Sequence, residues 1–296
     1  MLFRSEDVVS RCAIQSCAGG TQAEVQVVKM PAVKGLLVET DTQGGPRPPC
    51  CFCSRRISLT LSTELLRFAI NRVMNKTSAR DRLEQALSRI ADPRGEGVRA
   101  CLNVYAETAR AAADASDARA RSGISLGPLD GAIVSIKDLF DVKGEVTRAG
   151  SKILAEEGKP ASADAPVVTR LRAAGAVIVA KTNMSEFAFH GIGTNPHFGT
   201  PGNPCDRARA PGGSTSGGAV AVADGMCDIA IGSDTGGSTR APAAFCGIVG
   251  WKPSRQRIST EGAFPLSFSL DSIGPMATSV ADCANTDAVK IGRAHV

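Results

Sequence analysis

Residues 165–182, APVVTRLRAAGAVIVAKT, join a helical pattern directly to an apolar run, with Gly175 between the two. A glycine in this position is typical of a helix end, and AVIVAKT is typical of a strand. Because the first five residues of this strand, AVIVA, are apolar without alternation, both faces of its sheet are predicted to be buried. Residues 103–123 predict a second helix, and residues 129–140 predict a second apolar strand, which carries Lys137. The fold class predicted is therefore α/β, with helices on both faces of a central β-sheet.

The composition is that of an ordinary globular protein, and it argues against two classes of partner. Of 296 residues, 43% are hydrophobic and 21% are charged, and the formal net charge is +5. Arginines alternate with acidic residues, as in ARDRLEQALSRIADPRGEG, which predicts a solvated surface and no direct contact with nucleic acid. No apolar run reaches the roughly 18–20 residues that a bilayer requires, so we expect no membrane contact.

The ten cysteines fall into two groups. Five lie in the first 53 residues, where they lack the second half of a zinc framework and partnering histidines, so we predict no metal site. The other five are widely spaced, which predicts small buried residues in a reducing compartment. Since MLFRSEDVVS is charged where a signal peptide is apolar, we predict a cytoplasmic location. The five widely spaced cysteines are Cys101, Cys205, Cys227, Cys246 and Cys283.

The residue patterns at the two ends of the chain differ from those of its middle. Residues 1–73 show weak periodicity and a Pro-Arg-Pro-Pro break, and we interpret them as a non-native or disordered extension before a start at Met74. MLFRS and KIGRAHV can be encoded by nearly complementary DNA that resembles a sequencing-library adapter. We therefore interpret residues 291–296 as an adapter-derived tail. Residues 74–290 are predicted to form the folded domain, and its first helix has a capping box from Ser78 to Asp81.

Three segments place polar residues beside apolar runs: VSIKD at 134–138, PGGSTSGG at 211–218 and GSDTGGSTRAP at 232–242. None of them has the spacing of a phosphate-binding loop, a dinucleotide fingerprint or a G-x-S-x-G nucleophile elbow. Histidines are scarce, which disfavours a histidine-based triad. The residue types that remain suit a serine nucleophile with a lysine base, because a serine hydroxyl needs a neighbouring base to remove its proton.

These segments resemble the amidase signature family, from about residue 77 to about residue 288. The resemblance implies that Ser238 is the nucleophile, that Ser214 is a bridging serine held by a cis peptide, and that Lys137 is the general base. It also implies a mixed central sheet and a family domain that is incomplete at the C-terminus of this chain. The reaction implied is hydrolysis of a linear carboxamide through an acyl-serine intermediate, with no cofactor.

The chemistry of these residue types agrees with that assignment. Lysine is a base only when neutral, and burial at the end of an apolar strand lowers its pKa. Asp138 would oppose this unless strand alternation turns its side chain to the other face. The glycine pair in DTGGS lets bare backbone approach a substrate, which predicts an oxyanion hole made by four N–H groups. Those donors are expected from Thr235, Gly236, Gly237 and Ser238.

Three further residues are expected to support the site: Asp234 and Arg240, which we predict to form an ion pair, and Ser216. A simpler interpretation of DTGGS is a tight turn in which Ser238 only caps the next helix. Phe245 and Trp251 are predicted to lie in the core.

Two other functions stay open beside a stand-alone amidase. One is an amidotransferase A subunit, which supplies ammonia for tRNA-dependent amidation. We favour the amidase, because residues 255–275 lack the Tyr-Gly pattern usual in that subunit. The other is an inactive truncated fragment. The partner expected is a small-molecule amide; its identity, and whether the chain forms a homodimer, stay open.

Overall fold

The computed structural model describes residues 77–291. The predictions for residues 1–73 and for a start at Met74 lie outside this range, as does the predicted tail 291–296 apart from Ile291, which ends the last helix. The described residues form eight α-helices, one 3-10 turn and six strands. In chain order these are α1 Ala79–Ala91, α2 Gly97–Ala100, β1 Cys101–Val104, α3 Ala106–Arg121, β2 Ile133–Lys137, α4 Lys152–Glu157, α5 Pro166–Ala173, β3 Val177–Thr182, the 3-10 turn Glu186–Ala188, α6 Ser216–Ala223, β4 Ile229–Asp234, α7 Arg240–Phe245, β5 Val249–Gly250, β6 Ser272–Ala277 and α8 Val280–Ile291.

The strands form one mixed sheet in the order β1-β3-β2-β4-β6-β5. At its centre β2 runs parallel to both β3 and β4, and the other pairs are antiparallel. Ile136 on β2 stands opposite Lys181 on β3 and Ile231 on β4. The carboxyl ends of β2 and β4 therefore meet at one edge, which brings Lys137 close to the residues that follow β4.

Both faces of the sheet are covered by helices, as predicted. Ile133, Val177 and Val179 pack on one face with residues of α1, α3 and α6. Val134 and Ile178 point the other way, into a second core that includes residues of α5 and α8. Successive residues of one strand thus enter opposite cores, which explains why both strands begin with consecutive apolar residues, Ile133 and Val134 in β2 and residues 177–180 in β3.

Local sequence signals predicted the start of α1 and the turn after α5. The Ser78 hydroxyl accepts a hydrogen bond from the Asp81 N–H at 3.0 Å, so the predicted N-cap of α1 is confirmed. After α5 the chain turns at Gly175, which has a φ of +78°. A Cβ atom there would lie 2.5 Å from a carboxylate oxygen of Asp130, so the turn requires glycine for space as well as for conformation.

Two predictions about burial are wrong, those for Phe245 and Cys205. Phe245 is 57% exposed, because it ends the short helix α7 and its ring lies over the bare backbone of Gly212 instead of entering the core. Trp251 is half-buried and packs against the second core. Cys205 is exposed, in a surface turn that follows Asn203. The other four cysteines of residues 77–291 are buried free thiols, as expected.

Candidate active site

Lys137, the last residue of β2, lies wholly inside the protein. Its Nζ atom donates hydrogen bonds to Ser214 Oγ at 2.7 Å and to Ser233 Oγ at 2.9 Å. Burial lowers the pKa of Lys137 to about 7, while the negative charges of Asp234 and Asp271 act in the opposite direction. A lysine in this position is therefore substantially neutral near pH 7, which is the state in which an amine accepts a proton.

The loop before α6 carries Ser214 to this amine. The peptide bond between Gly213 and Ser214 is cis, as the family resemblance implies for the bridging serine. The Ser214 carbonyl accepts a hydrogen bond from the Ser185 N–H at 3.0 Å. A Cβ atom on Gly213 would lie 2.6 Å from the Gly193 backbone nitrogen, so the bare backbone lets two loops approach each other here.

Ser238 lies in the turn between β4 and α7, beside the Ser214 loop. Its carbonyl accepts a hydrogen bond from the Thr215 N–H at 3.2 Å, which joins the two serine-bearing segments directly. The Ser238 side chain is largely buried, with 8% of the residue exposed. The structure thus brings the segments that carry Lys137, Ser214 and Ser238 to one place, although 77 residues separate Lys137 from Ser214.

Asp234 organises the turn that carries Ser238. Its carboxylate accepts two bonds from the Arg240 guanidinium, both at 3.0 Å, so the predicted ion pair is present. It also accepts hydrogen bonds from the N–H groups of Gly237 at 2.9 Å, and of Thr239 and Arg240 at 3.3 Å. Burial by itself would raise the pKa of Asp234, but the Arg240 side chain and these N–H groups outweigh it and lower the pKa.

One member of the expected oxyanion hole needs correction. The Gly237 N–H donates to Asp234, so this donor already has a partner and cannot also serve a substrate oxygen without breaking that bond. The N–H groups of Thr235, Gly236 and Ser238 remain as candidates. Gly236 is exposed to solvent, and Gly237 has a φ of +132°, a conformation that requires glycine.

The third supporting candidate, Ser216, begins α6 and is fully buried. Within residues 77–291 its hydroxyl has no hydrogen-bond partner, so it makes no hydrogen bond to Lys137 or Ser214.

Two residues beside the site have no role predicted from the sequence. Ser233, near the end of β4, is the second acceptor of the Lys137 amine; the signal for it is a hydroxyl on the strand that parallels β2. Asp271, just before β6, accepts a hydrogen bond from Thr235 Oγ1 at 2.5 Å. Both residues line a cavity of about 300 Å³ whose other walls are mostly apolar. Its remaining lining residues are Leu139, Thr260, Glu261, Gly262, Ala263, Phe264, Pro265, Phe268, Ser272 and Ile273.

A larger cavity of about 830 Å³ lies between α1, β1 and α3, and includes Arg148 and Phe198. None of the residues predicted from the sequence to form the site lines either of these two cavities. Within residues 77–291, no group of His, Cys, Asp and Glu side chains is arranged to hold a metal ion. None of the helices in that range is both long enough and apolar enough to span a bilayer.

Asp138 points away from Lys137, as strand alternation suggests. Its carboxylate lies 3.4 Å from Lys181 Nζ and 3.9 Å from Arg148 Nε, and both Asp138 and Lys181 are fully buried. Burial raises the pKa of Asp138 to about 6, against the opposing effect of the two cations. The negative charge of Asp138 is thus paired with two cations on the face of the sheet opposite Lys137.

Replacing Asp138 with alanine is expected to destabilise the fold by about 3–5 kcal/mol, because it leaves the Lys181 ammonium buried without its partner. The free energy of unfolding, measured in denaturant near pH 8, tests this. Glu156→Gln is the matched control, since the Lys152–Glu156 pair is well exposed and its loss should have no measurable effect. Equal stabilities of the two variants would contradict the prediction.

Comparison with known proteins identifies the family. Residues 81–296, well over half of the chain, match the family model described as Amidase. The chain belongs to the amidase family. Its relatives in sequence and in structure agree with this.

The amidase-family relatives include proteins of two kinds. The chain is 49% identical over 207 residues to the A subunit of glutamyl-tRNA(Gln) amidotransferase from Anaeromyxobacter dehalogenans (strain 2CP-C), covering 70% of this chain and 42% of the relative. It is 45% identical over 209 residues to the AtzE subunit of 1-carboxybiuret hydrolase from Pseudomonas sp. (strain ADP), covering 69% and 44%. The chain therefore spans less than half the length of the curated relatives it matches.

Solved amidase structures have the same architecture. The peptide amidase of Stenotrophomonas maltophilia superposes with a TM-score of 0.68 at 37% identity, over 77% of this chain and 47% of that one. A chain from a vestigial protein complex, which reveals the origins of an s-triazine catabolic enzyme, superposes with a TM-score of 0.70 at 42% identity. That match covers 76% of this chain and 49% of the other.

Proposed function

We propose that this amidase-family chain hydrolyses a small carboxamide through an acyl intermediate on Ser238. Lys137 is the general base, and Ser214 transfers the proton between them. The observation that carries the proposal is the buried, partly neutral Lys137 amine, 2.7 Å from Ser214 Oγ in a loop bonded to the backbone of Ser238.

The proton transfer follows from the hydrogen-bonding capacity of each group. A serine hydroxyl has one donor and two acceptor positions, so Ser214 can accept the proton of Ser238 while giving its own to Lys137. Ser238 Oγ then attacks the amide carbon. The C–N bond breaks, the nitrogen leaves as ammonia or an amine after taking the proton back, and the acyl group stays on Ser238. Water, deprotonated by the same route, releases the carboxylate.

The carbonyl oxygen becomes negatively charged during attack and needs donors that are already in place. In the proposed site these are the N–H groups of Thr235, Gly236 and Ser238. Loss of one such donor in a serine hydrolase costs about 2.7–4 kcal/mol of transition-state stabilisation. The Asp234–Arg240 pair supports this turn from behind, through the N–H groups of Gly237 and Thr239.

A second candidate function is that of an amidotransferase A subunit, favoured by the 49% identity to such a protein. The site chemistry would be the same, with glutamine as the amide and ammonia passed to a partner protein. We favour hydrolysis by a stand-alone amidase, because residues 255–275 lack the Tyr-Gly pattern usual in those subunits.

A panel of amides tests the proposal and separates the two candidates. The purified chain is incubated with aliphatic, aromatic and amino-acid amides and with glutamine, and ammonia release is measured. Hydroxylamine is added in parallel, because it converts an acyl-enzyme into a hydroxamate. We expect ammonia and hydroxamate from at least one amide other than glutamine. Release from glutamine alone would favour the amidotransferase function, and release from none would contradict both.

A further inference from the structure

Asp271 joins two parts of the molecule that are distant in sequence. One carboxylate oxygen, Oδ1, accepts the hydroxyl of Thr235 at 2.5 Å, across 36 residues of chain. The other, Oδ2, accepts the N–H groups of Leu266 at 2.9 Å and of Ser267 at 3.1 Å. A single half-buried carboxylate thus holds both the turn that follows β4 and the segment 264–270, which we call the cavity loop.

A contact to the side chain of Thr235 has a direct effect on the position of the oxyanion turn. Thr235 begins this turn, which ends at Ser238, and its N–H is one of three proposed oxyanion donors. Gly236 and Gly237 follow it and have no side chain to fix their backbone. Asp234 holds the far end of the turn through the N–H groups of Gly237 and Thr239. Asp271 supplies the corresponding contact at the near end.

The negative charge of Asp271 also acts on the base. Two acidic groups favour the charged form of the Lys137 amine: Asp234, which is itself paired with Arg240, and Asp271. On the other face of the sheet, Asp138 is neutralised by Lys181 and Arg148.

We propose that Asp271 is a positioning residue of the amidase site, which fixes the Thr235 end of the oxyanion turn and ties it to the cavity loop. The proposal rests on the function proposed above and adds to it a residue that does not touch the reacting atoms. Its effect on the oxyanion donors passes through the Thr235 hydroxyl, and its negative charge favours the charged form of the Lys137 amine.

The test is a double-mutant cycle on Asp271 and Thr235, with kcat and KM measured on the best amide of the panel. Asp271→Ala and Thr235→Val each remove one partner of the same bond. We expect each to lower kcat by about 10- to 100-fold, less than loss of a whole oxyanion donor, with KM changed by less than about 3-fold. The double variant should be no more than about 3-fold worse than the poorer single variant, because the two act through one contact. The proposal would be overturned if the two losses in kcat multiplied in the double variant, or if kcat were unchanged in the single variants.

A second readout separates this role from simple support of the loop. Asp271→Asn keeps an oxygen acceptor for Thr235 but removes the charge, so the acidic limb of the kcat/KM profile should move to lower pH. Loop support alone would leave that limb in place, and this result would count against the proposal. The matched control is Asp282→Asn on α8, a carboxylate bonded to Ser279 and remote from the cavity; it should keep the wild-type limb.

Folding is checked by thermal unfolding of every variant. If the Asp271 variants do not fold, Thr235→Val and Thr235→Ser decide, since serine keeps the hydroxyl and should recover at least about 10-fold of the lost kcat. A wild-type chain without activity, or a Ser238→Ala variant with full activity, would remove the proposed function and this inference with it. If the wild-type chain is active, Ser238→Ala is inactive and Thr235→Val keeps full activity, the role of Asp271 is contradicted while the proposed function stands.

Discussion

Replacing Ser238 with alanine is expected to abolish amide hydrolysis, with kcat lowered by about 10³- to 10⁶-fold. The acyl group is attached to Ser238 Oγ during the reaction, so the variant has no atom on which the intermediate can form. Hydroxamate formation in the presence of hydroxylamine should disappear together with ammonia release. The measurement is ammonia release from the best substrate of the panel, at enzyme concentrations high enough to detect the residual rate.

Ser151→Ala is the matched control for this substitution. Ser151 is also buried, and its hydroxyl has no hydrogen-bond partner within residues 77–291, so its loss removes a hydroxyl without breaking a hydrogen bond. We expect that variant to keep normal kcat and normal thermal stability. Undiminished turnover in Ser238→Ala would overturn the assignment of the nucleophile.

The fold could be predicted from the sequence to the level of its elements and layers. Apolar runs identified β2 and β3, and Gly175 identified the turn between α5 and β3. The order of strands was not predictable, because it depends on pairing between distant segments. An example is β6, whose antiparallel pairing with β4 places Ser272 opposite Asp234. No local pattern in either strand encodes that partner.

The candidate site could be located from three motifs because its chemistry requires particular residue types at the ends of neighbouring strands. Lysine in an apolar strand and serine after paired glycines are unusual enough to stand out. What the sequence did not reveal are the partners set by tertiary contacts. Ser233 lies in the GSDTGGSTRAP segment, but only the pairing of β4 with β2 places its hydroxyl beside Lys137. Asp271 has no distinctive neighbours, and the bond from the Gly237 N–H to Asp234 depends on the conformation of the turn.

Replacing Lys137 with methionine is expected to lower kcat/KM by about 10²- to 10⁴-fold, the usual contribution of a general base. Methionine fills a similar volume in the buried site, but its thioether sulfur is far too weak a base to accept a proton from serine. Ser238 should then remain a weak nucleophile despite an intact turn. The measurement is kcat/KM for the best amide between pH 5.5 and pH 9.5, compared with wild type.

The wild-type profile should show an acidic limb whose midpoint is near pH 7. Burial lowers the pKa of Lys137 to about 7, so the amine is protonated and inactive below this pH and neutral and active above it. At pH 6 only about a tenth of the maximal kcat/KM should remain. In Lys137→Met this limb should be absent.

The control for the second prediction is Lys290, another fully buried lysine, whose pKa burial lowers to about 8. Lys290 lies on α8, away from Ser214 and Ser238, and its Nζ donates a hydrogen bond to the Ile273 carbonyl at 2.9 Å. Lys290→Met removes a buried amine of the same kind, so it reports the effect of that loss on the fold alone. We expect it to keep the limb near pH 7. If Lys137→Met also kept it, the titrating group would lie elsewhere and Lys137 would not be the base.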